Sequence, residues 1–298
     1  MYETILVPTD GSDHSIRAAE HALTLSRAFD ATVHVVTVLD LRSAAGPFDA
    51  GGLDEATLDR LETAGEDAIA SVESVVDERD DVRTEVLRGV PSDAILEYAS
   101  ESDVDLLAMG TQGRTGLDRY IAGSVTERVV RRSEVPVLTV RADEGPFDSG
   151  GYDEILVPTD GSERAAVAVA HGIAIADRFD ARIHAVNVVD IGEIAATGDF
   201  RPPTDVLDRC QERGEAATDR ILTSARERDV EGIAAVTEGF PAEELLRYCE
   251  DNDIDLITMG TAGRTGLDRF LLGSTTERLI RRADRPVIAV PDDGHPQE

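Results

Sequence analysis

The sequence predicts an α/β protein built twice over, each half a doubly wound parallel sheet of five strands with helices on both faces. Three observations predict it. Short apolar runs alternate with helical patterns through each half, and right-handed crossovers between parallel strands place helices on both sides of such a sheet. The 298-residue chain also repeats itself. ILVPTDGS at Ile5–Ser12 returns at Ile155–Ser162, and the stretch from Gly110 to Arg128 returns from Gly260 to Arg278, both at an offset of 150 (260 − 110). Finally, a glycine-rich loop follows the fourth apolar run of each half, beyond the carboxyl ends of the strands, where such sheets gather ligands.

In the first half, Ile5–Pro8 is a short apolar run closed by Thr-Asp-Gly-Ser and reads as a strand. Ser12–Ala28 follows as a helix with Ile16, Ala19, Ala22 and Leu23 on one stripe. Thr32–Leu39 is β-branched and strand-like, and a loop through Gly46, Pro47, Gly51 and Gly52 comes after it. A helical pattern runs from about Glu55 to Val76, then a strand from Val82 to Leu87. Pro91 opens a third helix, where its missing amide proton is harmless, and Val104–Met109 makes the fourth strand. Beyond the glycine-rich loop, Ser124–Arg132 reads as a helix and Val135–Val140 as the fifth strand. Pro136 and Pro286 then fall inside the last strand of each half, which suits an edge strand. An edge left open twice in one chain could pair with its own duplicate. Domains are expected at 1–142 and 153–291, with a linker at 143–152 and a tail at 292–298.

Composition narrows the function. There are 60 Asp plus Glu against 29 Lys plus Arg, a net charge of −31, and lysine is absent altogether. Nucleic acid and anionic membrane surfaces are excluded as general partners, because counterion release needs a basic patch. Small anions held by backbone amides are not excluded. An acidic, lysine-free, aromatic-poor chain resembles proteins of organisms that keep molar salt in the cytoplasm, where screening makes the charge tolerable; an ordinary acidic protein is the alternative. MYETILVPTDGS enters a strand at once, so no signal peptide is expected, no apolar run has the length of a membrane span, and the expected location is cytoplasmic. Cys210 and Cys249 lack counterparts in the first half and suit packing better than a disulfide or metal site.

The duplicated loop carries the chemistry. Gly110 and Gly113 allow unusual dihedrals and close approach of a phosphate, while Gly123-Ser124 begins a helix whose free amides and positive dipole end favour an anion. In so acidic a chain the local field comes from oriented amides, from Arg114 and from a bound cation. Capping competes with this reading: Ser124 with Glu127, and Ser274 with Glu277, have capping-box spacing. Asp10 and Asp160, closing the first strand of each half, suit acceptance of hydrogen bonds from a ribose or an adenine amino group; taken alone each suits equally the start of the following helix, and position at the switch crevice favours ligand contact. His21 and His34 recur as His171 and His184 without a carboxylate or cysteine at metal spacing, and read as scaffold. Arg128, Arg131 and Arg132 read as a solvated helix end meeting the dipole.

Gly110, Gly113, Gly123 and Ser124 after Met109, combined with the first-strand Val-Pro-Thr-Asp-Gly-Ser, resemble the nucleotide-binding version of the universal stress protein family, almost end to end in both halves. The resemblance implies an adenine nucleotide alpha hydrolase-like fold with strand order 3-2-1-4-5, and ATP (or ADP or AMP) across the crevice with Mg²⁺ or Mn²⁺ held by its phosphates. It implies pairing through last strands, here as a pseudo-dimer within one chain, with a homodimer as a further possibility. By matching position, Pro8, Thr9 and Asp10 border adenine and ribose, and Val38 offers backbone contacts to the base; Met109, Gly110, Gly113, Arg114, Gly123, Ser124 and Val125 line ribose and phosphates. The second site takes Pro158, Thr159, Asp160, Val188, Met259, Gly260, Gly263, Arg264, Gly273, Ser274 and Thr275. Gln112 becomes Ala262 and Val125 becomes Thr275, so equal affinity of the two sites is open. The function implied is nucleotide-dependent regulation or stress response. The alternatives are a slow ATP hydrolase, against which stand the absent Walker lysine and the lack of an obvious water-positioning base, and an interaction scaffold with vestigial pockets.

Overall fold

A computed structural model of the chain describes residues 1–41, 54–112, 124–142, 150–192, 204–261 and 272–292. It divides into two compact units, Met1–Gly150 and Gly151–Glu298. In the first, the elements are β1 (Thr4–Pro8), α1 (Asp13–Phe29), β2 (Thr32–Leu39), α2 (Glu55–Glu73), β3 (Val82–Arg88), α3 (Pro91–Glu101), β4 (Leu106–Gly110), α4 (Ser124–Arg132) and β5 (Val137–Val140). The second runs β6 (Glu154–Pro158), α5 (Glu163–Phe179), β7 (Arg182–Asp190), α6 (Thr204–Arg226), β8 (Gly232–Gly239), α7 (Pro241–Asp251), β9 (Leu256–Gly260), α8 (Ser274–Arg282) and β10 (Val287–Val290).

The strand order is β3-β2-β1-β4-β5 in the first unit and β8-β7-β6-β9-β10 in the second, with parallel pairing throughout each. Central strands covered on both faces read as continuous apolar runs, and Ile5-Leu6-Val7 and Ile155-Leu156-Val157 are fully buried. The order reverses between β1 and β4, and between β6 and β9. Of the predicted stripe on α1, Ala19, Ala22 and Leu23 are buried and Ile16 is half-buried, while the buried face widens to take in Ser15, Ala18, His21 and Thr24. Small residues let it lie close to the sheet. At its far end Asp30, in the left-handed region at φ 59°, stops the helix, and Ala31 N–H reaches back 2.9 Å to Ser26 O. Beneath it Tyr2 meets Phe29 edge-on at 4.9 Å between ring centroids, and Tyr152 meets Phe179 at 5.3 Å in the second unit.

Several element ends shift by a residue from the sequence reading, and a few boundaries differ for physical reasons. Helix α2 stops at Glu73, with Ser74 as its cap. Strand β4 starts at Leu106, and the preceding Asp105 anchors the start of β1 by backbone and side chain: its N–H reaches Thr4 O at 2.9 Å and its carboxylate accepts the Glu3 and Thr4 amides at 2.7 and 3.0 Å. Strands β5 and β10 start after Pro136 and Pro286, not before them. Each proline carbonyl accepts a ladder bond, from Leu107 N–H at 2.9 Å and Ile257 N–H at 3.0 Å, while the ring nitrogen, with no proton to donate, sits where the ladder has not begun. The duplication also carries a compensated slip. Gly65 of α2 faces Thr37, and Gly214 of α6 faces Asn187; the helix glycines are 149 apart (214 − 65) and the strand residues 150 (187 − 37).

Candidate functional site

The first wall of the crevice is the turn after β1. Gly11 adopts φ 74° and its counterpart Gly161 φ 80°, left-handed values that exclude most side chains. Thr9 N–H continues the ladder to Val36 O at 2.8 Å, and Thr9 Oγ1 accepts Gly11 N–H at 3.0 Å while lying 2.9 Å from Ser15 Oγ. Asp10 Oδ1 accepts both the Ser12 amide at 3.1 Å and the Ser12 hydroxyl at 2.6 Å. Ser12 is the N-cap of α1, accepting Ser15 N–H. This corrects the reading of Asp10 as the helix signal, because the serine two residues on takes that role and the aspartate holds the serine. The second unit repeats the arrangement, with Gly161 N–H on Thr159 Oγ1 at 3.0 Å, Ser162 N–H on Asp160 Oδ1 at 2.9 Å, and Ser162 as the cap.

The second wall begins where β4 ends. Met109 is buried, and Gly110 lies against the first turn of α1 so closely that a Cβ there would be 2.7 Å from the His14 carbonyl carbon and 2.8 Å from its oxygen. The Gly110 carbonyl accepts Thr126 Oγ1–H at 2.7 Å, fastening α4 to the strand end, and Gly260 accepts Thr276 at 2.9 Å in the same way. Sequence reasoning missed these threonines; the signal was there in GSVTER and GSTTER, which share the threonine two positions after Gly-Ser. The two walls come together where Gly110 packs on His14, and there Ser12 Oγ, its proton donated to Asp10, lies 3.5 Å from Gln112 O.

Helix α8 shows how the loop ends. Gly273 occupies the N-cap with φ −59° and ψ 140°, donates to Thr261 O at 2.7 Å and accepts Glu277 N–H at 2.9 Å. Ser274 is therefore the first helical residue, and the capping box expected of Ser274 and Glu277 does not form. Glu277 instead pairs with Arg281 at 2.8 Å, as Glu127 does with Arg131 at 2.9 Å. A glycine cap brings no side chain to the first-turn amides, and these point out of the helix at its positive pole. In the first unit α4 likewise starts at Ser124.

Of the other predicted residues, Pro8 and Pro158 are buried at the ends of β1 and β6, Met259 is buried in β9, and Val38, Val188, Val125 and Thr275 are half-buried. Gly113, Arg114, Gly123, Gly263 and Arg264 lie outside the described residues. Away from the crevice, His184 hydrogen bonds with Tyr248 Oη at 2.9 Å and Glu154 Oε2 at 2.6 Å, and His34 with Tyr98 at 3.1 Å, as befits scaffold residues. Arg182 and His184 together hold the Glu154 carboxyl below its ordinary range against the opposing effect of burial. Burial pushes the Cys249 thiol up to about 12, leaving it a packing group. No helix among the described residues is long and apolar enough to cross a membrane.

A model of the universal stress protein family matches residues 1–141 and 151–291. A universal stress protein of Methanocaldococcus jannaschii is 40% identical over 142 residues, which cover 47% of this chain and 83% of that protein. One from Mycolicibacterium smegmatis is 29% identical over 297 residues, 96% of each chain. The crystal structure of a universal stress protein from Archaeoglobus fulgidus superposes with a TM-score of 0.68 over 97% of this chain and 98% of that one, at 21% identity, a likeness of fold.

Proposed function

Since the chain belongs to the universal stress protein family, as two of its domains in tandem, we propose that each domain binds an adenine nucleotide, ATP or its di- or monophosphate, and that occupancy serves a regulatory role in stress response. The observation that carries this is the meeting of the two walls where Gly110 packs on His14, at the point where the strand order reverses. The donor set fits the ligand. Asp10 and Asp160 supply carboxylates for ribose or adenine donors; the first-turn amides of α8, uncovered by any cap side chain, suit phosphate oxygens. Val38 and Val188 would meet the base, and Gly113, Arg114, Gly123, Ser124, Gly263, Arg264, Gly273 and Ser274 the phosphates, with Mg²⁺ or Mn²⁺ neutralising phosphate charge when bound. Fixed amides and arginine hold the anion without a mobile lysine, an arrangement that favours retention over turnover.

Denaturing protein purified in high salt is expected to release two adenine nucleotides per chain, one from Gly113→Val and none from Gly113→Val/Gly263→Val. No nucleotide released, and no titration signal with ATP and Mg²⁺, would sink the proposal; phosphate release above background that the double variant abolishes would replace it with hydrolysis.

We also propose that the composition is an adaptation to molar salt inside the cell. At a net charge of −31 self-repulsion opposes compactness, and at 1 M salt the screening length falls to about 3 Å. The melting temperature is expected to rise from dilute buffer to molar KCl; equal values would refute the adaptation.

A further inference from the structure

The outer edges of the two sheets differ in a way that their shared origin makes informative. β3 and β8 are the terminal strands of their units on the side away from β5 and β10, and among the described residues no strand pairs with their far sides. β3 carries Arg83, Glu85 and Arg88 along that edge, with Arg88 paired to Glu62 of α2 at 2.8 Å. Charges on an exposed edge are how sheets avoid adding strands. At the matching positions β8 has Ile233, Ala235 and Glu238, so Gly232 to Thr237 hold no charge in a chain of which 30% is charged. Both edges show an exposed apolar side chain, Val86 at 38% and Ile233 at 40%, so the absence of charge is what sets β8 apart.

Backbone direction follows from the ladder. Glu231 O accepts Ile183 N–H of β7 at 2.9 Å, so alternation turns the groups of 233, 235 and 237 towards β7 and those of Gly232, Ala234, Val236 and Glu238 outward. Antiparallel pairing of β8 with its own copy about a two-fold axis at Ala235 would set Ala234 opposite Val236, Ile233 opposite Thr237, and Gly232 opposite Glu238. No like charges face one another. The same operation on β3 sets Glu85 against Glu85, a destabilising pair.

We propose that β8 is a self-association edge, joining two copies of this chain by antiparallel strand pairing about Ala235. A second copy is the occupant because the strip is neutral and self-complementary, so two copies can meet along it without bringing like charges together. Two copies that each carry a net charge of −31 repel one another until salt screens the charge, so association tightens with ionic strength. This proposal is independent of nucleotide binding.

Sedimentation equilibrium in molar KCl tests it. The parent chain is expected to dimerise, and Ile233→Arg/Ala235→Glu, which restores the residue types that β3 already accommodates, is expected to raise the dimer dissociation constant roughly tenfold or more, with a melting temperature unchanged at dilutions where the parent is monomeric. A second arm uses Ala235→Cys in a Cys210→Ser background. Residues facing across the axis in a non-hydrogen-bonded pair have Cα atoms about 4.5 Å apart, within disulfide range, so a covalent dimer should form on oxidation. A monomeric parent at every concentration, a dimer indifferent to the double substitution, or failure of the cross-link would each overturn the proposal.

Discussion

Gly110→Ala is expected to destabilise the first domain by about 2–3 kcal/mol, the upper range for overpacking, although it adds a single methyl group. The new carbon would arrive 2.7 Å from the His14 carbonyl carbon, a backbone atom and not the end of a flexible chain. Neither side is free to give. The first turn of α1 is fixed by the Ser12 cap and by the bond between Thr9 and Ser15, and β4 is held in register with β5 through Met109↔Thr139 and Gly110↔Val140. Thr126 adds a third restraint from α4. Relief requires the two walls of the crevice to part, so the variant should also release less nucleotide while the second site keeps its own. Urea unfolding at neutral pH in molar KCl, against the parent, measures the first effect. A loss under about 0.5 kcal/mol, the range of an ordinary surface substitution, would show that the walls are not rigid.

That packing was hidden in the sequence, which marked Gly110 as special without saying why. Glycine spacing serves a phosphate and a close helix equally, and Gly110 meets the helix; Gly113 is the better sequence candidate for a purely ligand-driven glycine. The architecture was legible because each apolar run is bounded by residues with one physical reading, and because duplication lets every assignment be made twice. What escaped belonged to contacts between distant segments. Asp105, far in sequence from Thr4, anchors the start of β1 through both its backbone and its carboxylate, and the carbonyl of Pro136 serves the ladder from outside its strand. Capping was misread for a local reason: Gly-Ser followed by Thr-Thr-Glu fits a serine cap, yet the glycine takes the position and moves Ser274 into the helix. Chain reversals were obscured by composition. Among the described residues every non-glycine residue with positive φ is an aspartate, at 30, 103, 180, 229 and 253. Aspartate tolerates that region better than most residues, and an acidic chain uses it where sequence rules look for glycine or asparagine.

Asp80→Asn is expected to cost the first domain about 2–3 kcal/mol at neutral pH, somewhat below the range for a fully buried pair. The Asp80 side chain is 1% exposed, in a residue that is half-buried overall, and receives Arg27 through two bonds, Nε at 2.8 Å and Nη2 at 2.7 Å, while also accepting Asp77 N–H at 2.8 Å. Arg27 is 23% exposed and lies 3.0 Å from Asp77 as well, which softens the loss. The Arg27 guanidinium holds the Asp80 carboxyl below its ordinary value. Between the folded and unfolded values the unfolded chain binds the extra proton, so the contribution is whole above the ordinary carboxylate range and drains away as pH falls through the folded value. The gap between parent and variant should therefore narrow in acid. The second domain supplies a control, since Asp177 stands where Arg27 does in the first. Urea unfolding at neutral pH and near pH 3, followed by amide exchange in each domain, should place the loss in the first domain alone; an equal gap at both pH values would assign it to packing. Molar salt sharpens the same comparison. Exposed pairs such as Arg132 with Asp93 are screened at such concentrations, whereas a part-buried bidentate pair is screened less, so most of the cost of Asp80→Asn should persist in molar KCl while that of Asp93→Asn vanishes.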